Sequence, residues 1–139
     1  MRIISYSCLA FVLLLGSMVT PSLAGDRDPL FINLTTNDPH RANMAITLGR
    51  NQQDRGHPLT IFLNDKAVMI GSKANTSRFS DHQAKLLEVM AQGGTVLICP
   101  MCMMHYGVKD ADLISGIKVG SPEITGASLF KENTKTLTW

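Results

Sequence analysis

Short apolar runs alternate along the chain with longer segments in which apolar residues recur every three or four positions. The runs span Leu30–Leu34, Leu59–Leu63, Thr95–Ile98 and, more briefly, residues 117–119 and 137–139. Runs that are apolar at nearly every position are typical of strands buried on both faces, because a half-buried strand would alternate apolar and polar residues. Five such strands separated by helices predict an α/β fold, an open parallel sheet with helices on both faces.

The segments between the runs carry the end signals of helices. Asp38 followed by Pro39 predicts an N-cap and a first turn, and the helix should extend to about Asn51. Ser80-Asp-His-Gln83 matches a capping box and predicts a helix that ends at Gly93. The buried stripe of that helix is predicted to comprise Leu86, Leu87 and Met90. Further helices are predicted over 100–106 and 121–130 and a helical turn over 110–114, whereas residues 66–70 fit either a strand or a helical turn.

Residues 1–24 have the pattern of a secretory signal peptide. A basic start at Arg2 precedes an apolar core from Cys8 to Val19, and small residues lead to a cleavage site after Ala24. The apolar core is shorter than the roughly 20 residues that span a bilayer, and no later run is long enough. We therefore expect a single domain over residues 25–139, periplasmic or secreted, with no membrane span after cleavage.

Charge and motifs exclude two classes of partner. After residue 24 the chain carries 12 basic and 11 acidic residues, and these are scattered. Nucleic-acid binding therefore lacks its electrostatic signature. No Gly-x-Gly-x-x-Gly motif follows the first strand and no P-loop is present in the sequence, so nucleotide binding is unsupported and no cofactor is predicted.

The segment from Gly93 to Gly107 places two cysteines where a strand is predicted to give way to a helix. Cys99 follows the apolar run, Pro100 suits the first helical position, and Gly107 suits the helix end. Near a helix N-terminus the thiol pKa, ordinarily about 8.5, can fall to roughly 3.5 to 7.5. We predict this strand to be central in the sheet, where the switch in strand order that marks ligand sites usually falls.

Cys99 and Cys102 are the two thiols that remain after the predicted cleavage. Small secreted domains held by disulfides normally carry four or more cysteines, and a bridge across so short a loop would add little stability. We therefore interpret the pair as a reactive site, the alternative being two small buried hydrophobic side chains. His105 would share a helix face with Cys102, where it either tunes the thiols or remains an ordinary surface histidine.

A metal site is the main competing use of these residues. Cys99, Cys102 and His105, with a nearby methionine, offer soft ligands that suit Cu(I). A helix cannot aim three near-consecutive methionines at one point, however, and structural zinc needs four ligands. We predict no metal and keep Cu(I) as an alternative. The other histidines have no partner in the sequence and are predicted to be solvated: His40, His57 and His82.

Several segments of residues 25–139 share a pattern with a known family. They are the helix start at Asp38-Pro39, residues 56–65, and above all Val96-Leu-Ile-Cys99 followed eight residues later by Gly107-Val108. The segment 112–116 fits the same pattern. Together these features resemble the DsrE/DsrF-like family of sulfur-relay proteins.

The resemblance implies a flavodoxin-like sheet and assembly into homo-oligomers, trimers or hexamers. It also implies a reactive cysteine that accepts sulfane sulfur as a persulfide and passes it on. That cysteine matches Cys99, whereas Cys102 matches no obligatory residue of the family. A signal peptide departs from the cytoplasmic relays that the chain resembles, so the partner proteins stay open.

We therefore expect an exported sulfur carrier or sulfurtransferase in which Cys99 is the nucleophile and Cys102 the resolving thiol. Its partners would be sulfur donor and acceptor proteins or small thiols. Three alternatives remain: a Cu(I)-binding module, a dithiol–disulfide redox protein, and a structural subunit with unreactive cysteines.

Overall fold

Five parallel strands form one sheet in the computed structural model, which describes residue 25 and residues 27–139. The strands are β1 (Leu30–Leu34), β2 (Leu59–Leu63), β3 (Thr95–Ile98), β4 (Lys118–Val119) and β5 (Lys135–Thr138). Their order in the sheet is β4-β3-β2-β1-β5, and every neighbouring pair is parallel. The predicted open parallel α/β sheet is confirmed, while the predicted signal peptide lies outside the described residues.

Four helices connect the strands. They are α1 (Pro39–Gln53), α2 (Thr76–Ala91), α3 (Pro100–Tyr106) and α4 (Pro122–Leu129). Short 3₁₀ helices span Asp65–Met69, Lys73–Asn75 and Asp110–Asp112. No helix among the described residues is long and apolar enough to cross a membrane.

One face of the sheet carries the main core. Alternate residues of β1 and β2 point to it and are buried, as the side-chain period of a strand requires. Ala45 and Ile46 of α1 and Leu86 and Val89 of α2 cover this face and are fully buried. The close approach of α1 favours a glycine, because a Cβ at Gly49 would lie 2.9 Å from the end of the Ile32 side chain, which would have to shift.

The opposite face is covered less completely. Phe31 and Phe62 lie on it with ring centroids 6.3 Å apart, and Leu97 is fully buried there. The sequence predicted an apolar side on α4, but α4 contains no buried residue, and Phe130 at its end is 83% exposed.

The predicted position of β3 is wrong in one respect. The central strand is β2, and β3 lies between β2 and β4. The first three connections each move one place across the sheet, whereas the β4 to β5 connection returns to the far edge. With the usual right-handed crossovers, the connections after β3 and after β4 lie on opposite faces. By this rule the crevice that favours ligands lies between the carboxyl ends of β3 and β4.

The start of α2 also differs from the prediction. The helix begins at Thr76 and is kinked at Phe79, where the backbone leaves helical geometry. Ser80 therefore lies inside the helix, and the side chain of Gln83 donates to the carbonyls of Ile70 and Ser72 instead of closing a capping box. Leu87, which was predicted to be buried, is 43% exposed.

Candidate functional site: a thiol pair at the end of β3

Cys99 joins β3 to α3. Its backbone is extended and its N–H donates to the Leu63 carbonyl at 2.9 Å, which continues the pairing with β2. Pro100 occupies the first helical position, and Gly107 ends α3 with a left-handed φ of 70°. Proline and glycine suit these two positions because of their backbone preferences. The predicted strand-to-helix junction is confirmed.

The sulfur atoms of Cys99 and Cys102 lie 2.7 Å apart. This separation exceeds the 2.03–2.05 Å bond of a disulfide, and both residues are free, half-buried thiols. The backbone N–H of Cys102 also donates to the Cys99 sulfur at 3.3 Å. Cys99 thus caps α3 with its own side chain and faces the second thiol directly.

The Cys102 thiol contacts the turn that follows β2. It donates to Oδ1 of Asn64 at 3.1 Å and accepts from the backbone N–H of Asp65 at 3.2 Å. Burial raises the pKa of Cys102, as do the hydrogen bond with Cys99 and the negative charge of Asp65. The hydrogen bond from the Asp65 N–H lowers it. The sequence analysis predicted a lowered thiol pKa near the start of α3, and this prediction is wrong for Cys102. The reason is that neighbouring acceptors and partial burial outweigh the start of the helix.

Asn64 and Asp65 are part of the site, although the sequence analysis did not single them out. Leu63 pairs with Ile98 in the sheet, so the residues that follow β2 and β3 lie at the same edge. Asn64 also donates from its side-chain nitrogen, at 3.3 Å, to Oδ1 of Asn33 in β1, which neighbours β2 in the sheet. The sequence signal that could have identified Asn64 and Asp65 is their position directly after an apolar strand, because the carboxyl ends of parallel strands lie at the same edge of the sheet.

A groove of about 570 Å³ opens beside Cys102. Its walls are formed by the turn after β2 and by the outer side of α3: Asp65, Met101, Cys102, Met104, His105 and Tyr106. Met101 and Met104 are 74% and 80% exposed, so two flexible thioether side chains border the thiol. The groove gives a reacting molecule access from solvent to Cys102, whose sulfur atom lies 2.7 Å from that of Cys99.

His105 lies on this groove but not against the sulfur atoms. Its exposed ring packs edge-on against Tyr106, with centroids 4.7 Å apart. Among the hydrogen bonds of the described residues, none joins His105 to Cys99 or Cys102. The structure therefore brings the two cysteines together and leaves the histidine on the rim.

Of the ligands considered for Cu(I), the structure brings Cys99 and Cys102 together and leaves His105 apart from them. Within residue 25 and residues 27–139, no group of three or more histidine, cysteine or acidic side chains is placed to hold a metal ion. Met103 is buried whereas Met101 and Met104 point to solvent, so the three methionines diverge as the helix geometry predicted.

Two of the three histidines predicted to be solvated have protein partners. His82 is buried, and its Nε2 lies 2.7 Å from the Pro39 carbonyl oxygen. His57 is half-buried, and its Nδ1 lies 2.8 Å from the Asp28 carbonyl oxygen. His40 is exposed as predicted. Neither buried contact has a signal in the local sequence, because each joins residues far apart in the chain.

Comparison with known proteins places this geometry in a family. No protein with a curated description matches the chain. Three solved structures match with a TM-score of 0.62 over 81% of the chain: the ychN protein of E. coli (20% identity), MTH1491 of Methanobacterium thermoautotrophicum (17%) and BT1422 of Bacteroides thetaiotaomicron (26%). The alignments cover 99%, 99% and 95% of those chains. Residues 30–135 match the model of the DsrE/DsrF-like family, and the chain therefore belongs to that family.

Proposed function

We propose that the chain carries sulfane sulfur as a persulfide on Cys99 and that Cys102 resolves this persulfide. The observation that supports the proposal best is the 2.7 Å contact between the two free sulfur atoms at the open end of β3. A resolving thiol must reach the sulfur that it attacks, and here it does so without any movement of the backbone. Membership of the DsrE/DsrF-like family supports the same chemistry.

The hydrogen bonds support different roles for the two thiols. Cys102 donates its thiol proton toward Asn64 and Cys99, and its pKa is raised by burial and by the contact with Cys99. The Cys99 sulfur instead accepts from the backbone N–H of Cys102 at the start of α3, a contact that favours its anionic form. The thiolate is the nucleophilic form of cysteine, so Cys99 attacks the incoming sulfur donor.

Loading and resolution both balance without a bound cofactor. The Cys99 thiolate attacks the outer sulfur of a donor persulfide, R–S–SH, which gives Cys99–S–SH and releases R–S⁻. The Cys102 thiolate then attacks the inner sulfur, which forms the Cys99–Cys102 disulfide and releases HS⁻. Two equivalents of a partner thiol reduce this disulfide by exchange and restore the pair. Direct transfer of the outer sulfur from Cys99 to an acceptor thiol is the competing outcome.

Thiol–disulfide exchange without sulfur transport is a second candidate function. The same sulfur contact favours it, because two thiols at this distance need only oxidation to form a bridge. A reduction potential in the range of known exchange catalysts, together with no uptake of sulfur, would support this candidate over the carrier.

The proposal also covers the compartment, the partners and the oligomeric state of the protein. The pattern of residues 1–24 supports export to the periplasm or the medium. Donor and acceptor proteins or small thiols would then approach the thiol pair from the groove beside Cys102. We further propose a homo-oligomer, a trimer or hexamer, on the basis of the family alone.

Intact-mass measurement tests the carrier. All variants carry Cys8→Ser, because Cys8 would otherwise add a third thiol to the full chain. After reaction of the reduced protein with an organic persulfide, Cys102→Ser should gain one sulfur atom and Cys99→Ser should gain none. The protein with both thiols should release sulfide and lose two hydrogens. Loading that survives Cys99→Ser would remove Cys99 from its role.

A further inference from the structure

The turn that follows β2 makes two opposite contacts with one sulfur atom. Oδ1 of Asn64 accepts the thiol proton of Cys102 at 3.1 Å, and the N–H of Asp65 donates to the same sulfur at 3.2 Å. The first contact stabilises the thiol and the second stabilises the thiolate, since a carbonyl oxygen requires the proton and an N–H favours the anion. Both protonation states of Cys102 therefore have a partner already in place.

The backbone of this turn is held in an unusual conformation. Asp65 has a φ of +46°, in the left-handed region that few residues other than glycine adopt. Two contacts hold it there: the Asp65 N–H donates to Oδ1 of Asn64 at 2.9 Å, and Tyr106 donates to the Asp65 carboxylate. Strain of this kind persists where the surroundings over-determine it. Here it directs a backbone N–H at the Cys102 sulfur.

Asn64 is itself fixed from the opposite side. Its side-chain nitrogen donates to Asn33 of β1 at 3.3 Å, which leaves its oxygen directed toward Cys102 and Asp65. Asn64 follows β2 and contacts both β1, through Asn33, and α3, through Cys102. A side chain that only capped the turn after β2 would need neither contact.

We propose that Asn64 is a positioning residue for Cys102: it holds the thiol against Cys99 until the persulfide forms. This inference rests on the proposed function, since the persulfide is the species that Cys102 attacks. The ionisable groups that face Cys102 are Cys99 after β3, Asp65 after β2, and His105 and Tyr106 along the groove. Asn64 is not ionisable, and its Oδ1 accepts the thiol proton of Cys102.

The proposed step balances within the site. Cys99–S–S⁻ takes the thiol proton of Cys102 on its outer sulfur, and the Asp65 N–H stabilises the Cys102 thiolate that results. The thiolate attacks the inner sulfur, the Cys99–Cys102 bond forms, and HS⁻ leaves with the transferred proton. The total charge stays at minus one throughout, and no further reactant is needed.

Two substitutions at Asn64 separate positioning from a structural role. In the full chain with Cys8→Ser and Cys99→Ser, the rate of Cys102 alkylation by iodoacetamide is measured against pH. Asn64→Ala removes the proton acceptor, so the midpoint should move to lower pH. Asn64→Asp keeps an oxygen that can cap Asp65 but adds a negative charge, so the midpoint should move to higher pH. Each shift should change the thiol equilibrium by about 2- to 10-fold, the range for one hydrogen bond.

A matched control and a second readout complete the experiment. Asn51→Ala, on the exposed end of α1, should leave the midpoint unchanged. With Cys99 restored, Asn64→Ala and Asn64→Asp should load sulfur normally but release sulfide more slowly. Midpoints that move in the same direction, or that do not move, would overturn the assignment of Asn64. Absence of loading when Asn64 is intact would instead overturn the proposed function, and the alkylation test of Asn64 would still stand.

Discussion

Tyr106 donates a hydrogen bond from its hydroxyl to the carboxylate of Asp65 at 2.5 Å, and this contact joins the last turn of α3 to the turn after β2. Both residues line the groove beside Cys102. The contact therefore joins the two elements that border the groove and steadies the strained residue whose N–H faces the thiol. The chemistry of the site depends on residues that follow two neighbouring strands.

The first prediction concerns the ionisation of Tyr106. The hydrogen bond to the Asp65 carboxylate raises the pKa of the Tyr106 hydroxyl, because the carboxylate favours the protonated form. The difference in absorbance near 295 nm between the wild type and Tyr106→Phe should show a midpoint above the ordinary tyrosine value of about 10. Asp65→Asn should bring the midpoint back toward that value, and an unchanged midpoint in Asp65→Asn would contradict the contact.

The second prediction compares two adjacent leucines of α2. Leu86 is fully buried against the sheet whereas Leu87 is 43% exposed. Leu86→Ala should lower the free energy of unfolding by about 2–5 kcal/mol, the range for a buried leucine that leaves a cavity. Leu87→Ala removes the same atoms from a site open to solvent and should cost much less. Urea unfolding measures both, and equal losses would show that α2 is rotated from its described position.

The third prediction concerns His105. Its exposed ring packs on Tyr106, and none of the hydrogen bonds of the described residues reaches either sulfur atom from it. His105→Asn should therefore leave the rate of sulfur loading unchanged, as followed by intact mass over time. Cys99→Ser, which should gain no sulfur atom, serves as the positive control in the same assay. A large fall in loading with His105→Asn would restore the histidine as a catalytic residue.

Local sequence signals were sufficient for most of the secondary structure. β1, β2 and β3 have the predicted bounds, because each is an apolar run between polar or helix-breaking residues. α3 also has the predicted bounds, since Pro100 and Gly107 have backbone preferences that act at a single position. The short β4 and the exposed β5 were placed to within about two residues, which is the usual uncertainty at the ends of elements.

Contacts between distant residues account for what the sequence did not predict. Gln83 bonds to carbonyls before α2 rather than to Ser80, and His82 is buried against Pro39 of α1. Strand order in the sheet is likewise set by packing, so the return of β5 to the edge beside β1, which makes β2 the central strand, could not be derived from chain order alone. Contacts between residues far apart in the chain cannot be inferred from the residues that neighbour them in sequence.

The candidate site was predicted in part. Cys99 and Cys102 were identified from their spacing and from the strand before them, and the structure places their sulfur atoms in contact. Asn64 and Asp65 were missed because their role depends on the register between β2 and β3, which pairs Leu63 with Ile98. The direction of the Cys102 pKa was also missed, since it reflects burial and acceptors from another part of the chain.

The most direct test of the account is to locate the transferred sulfur. Cys102→Ser, in the Cys8→Ser background, is reacted with an organic persulfide, alkylated and digested, and the peptides that contain residues 99 and 102 are sequenced by mass spectrometry. The account predicts one additional sulfur atom on Cys99, and its loss as sulfide when the same reaction is run with Cys102 intact. An unmodified Cys99, or sulfide release that does not require Cys102, would contradict it.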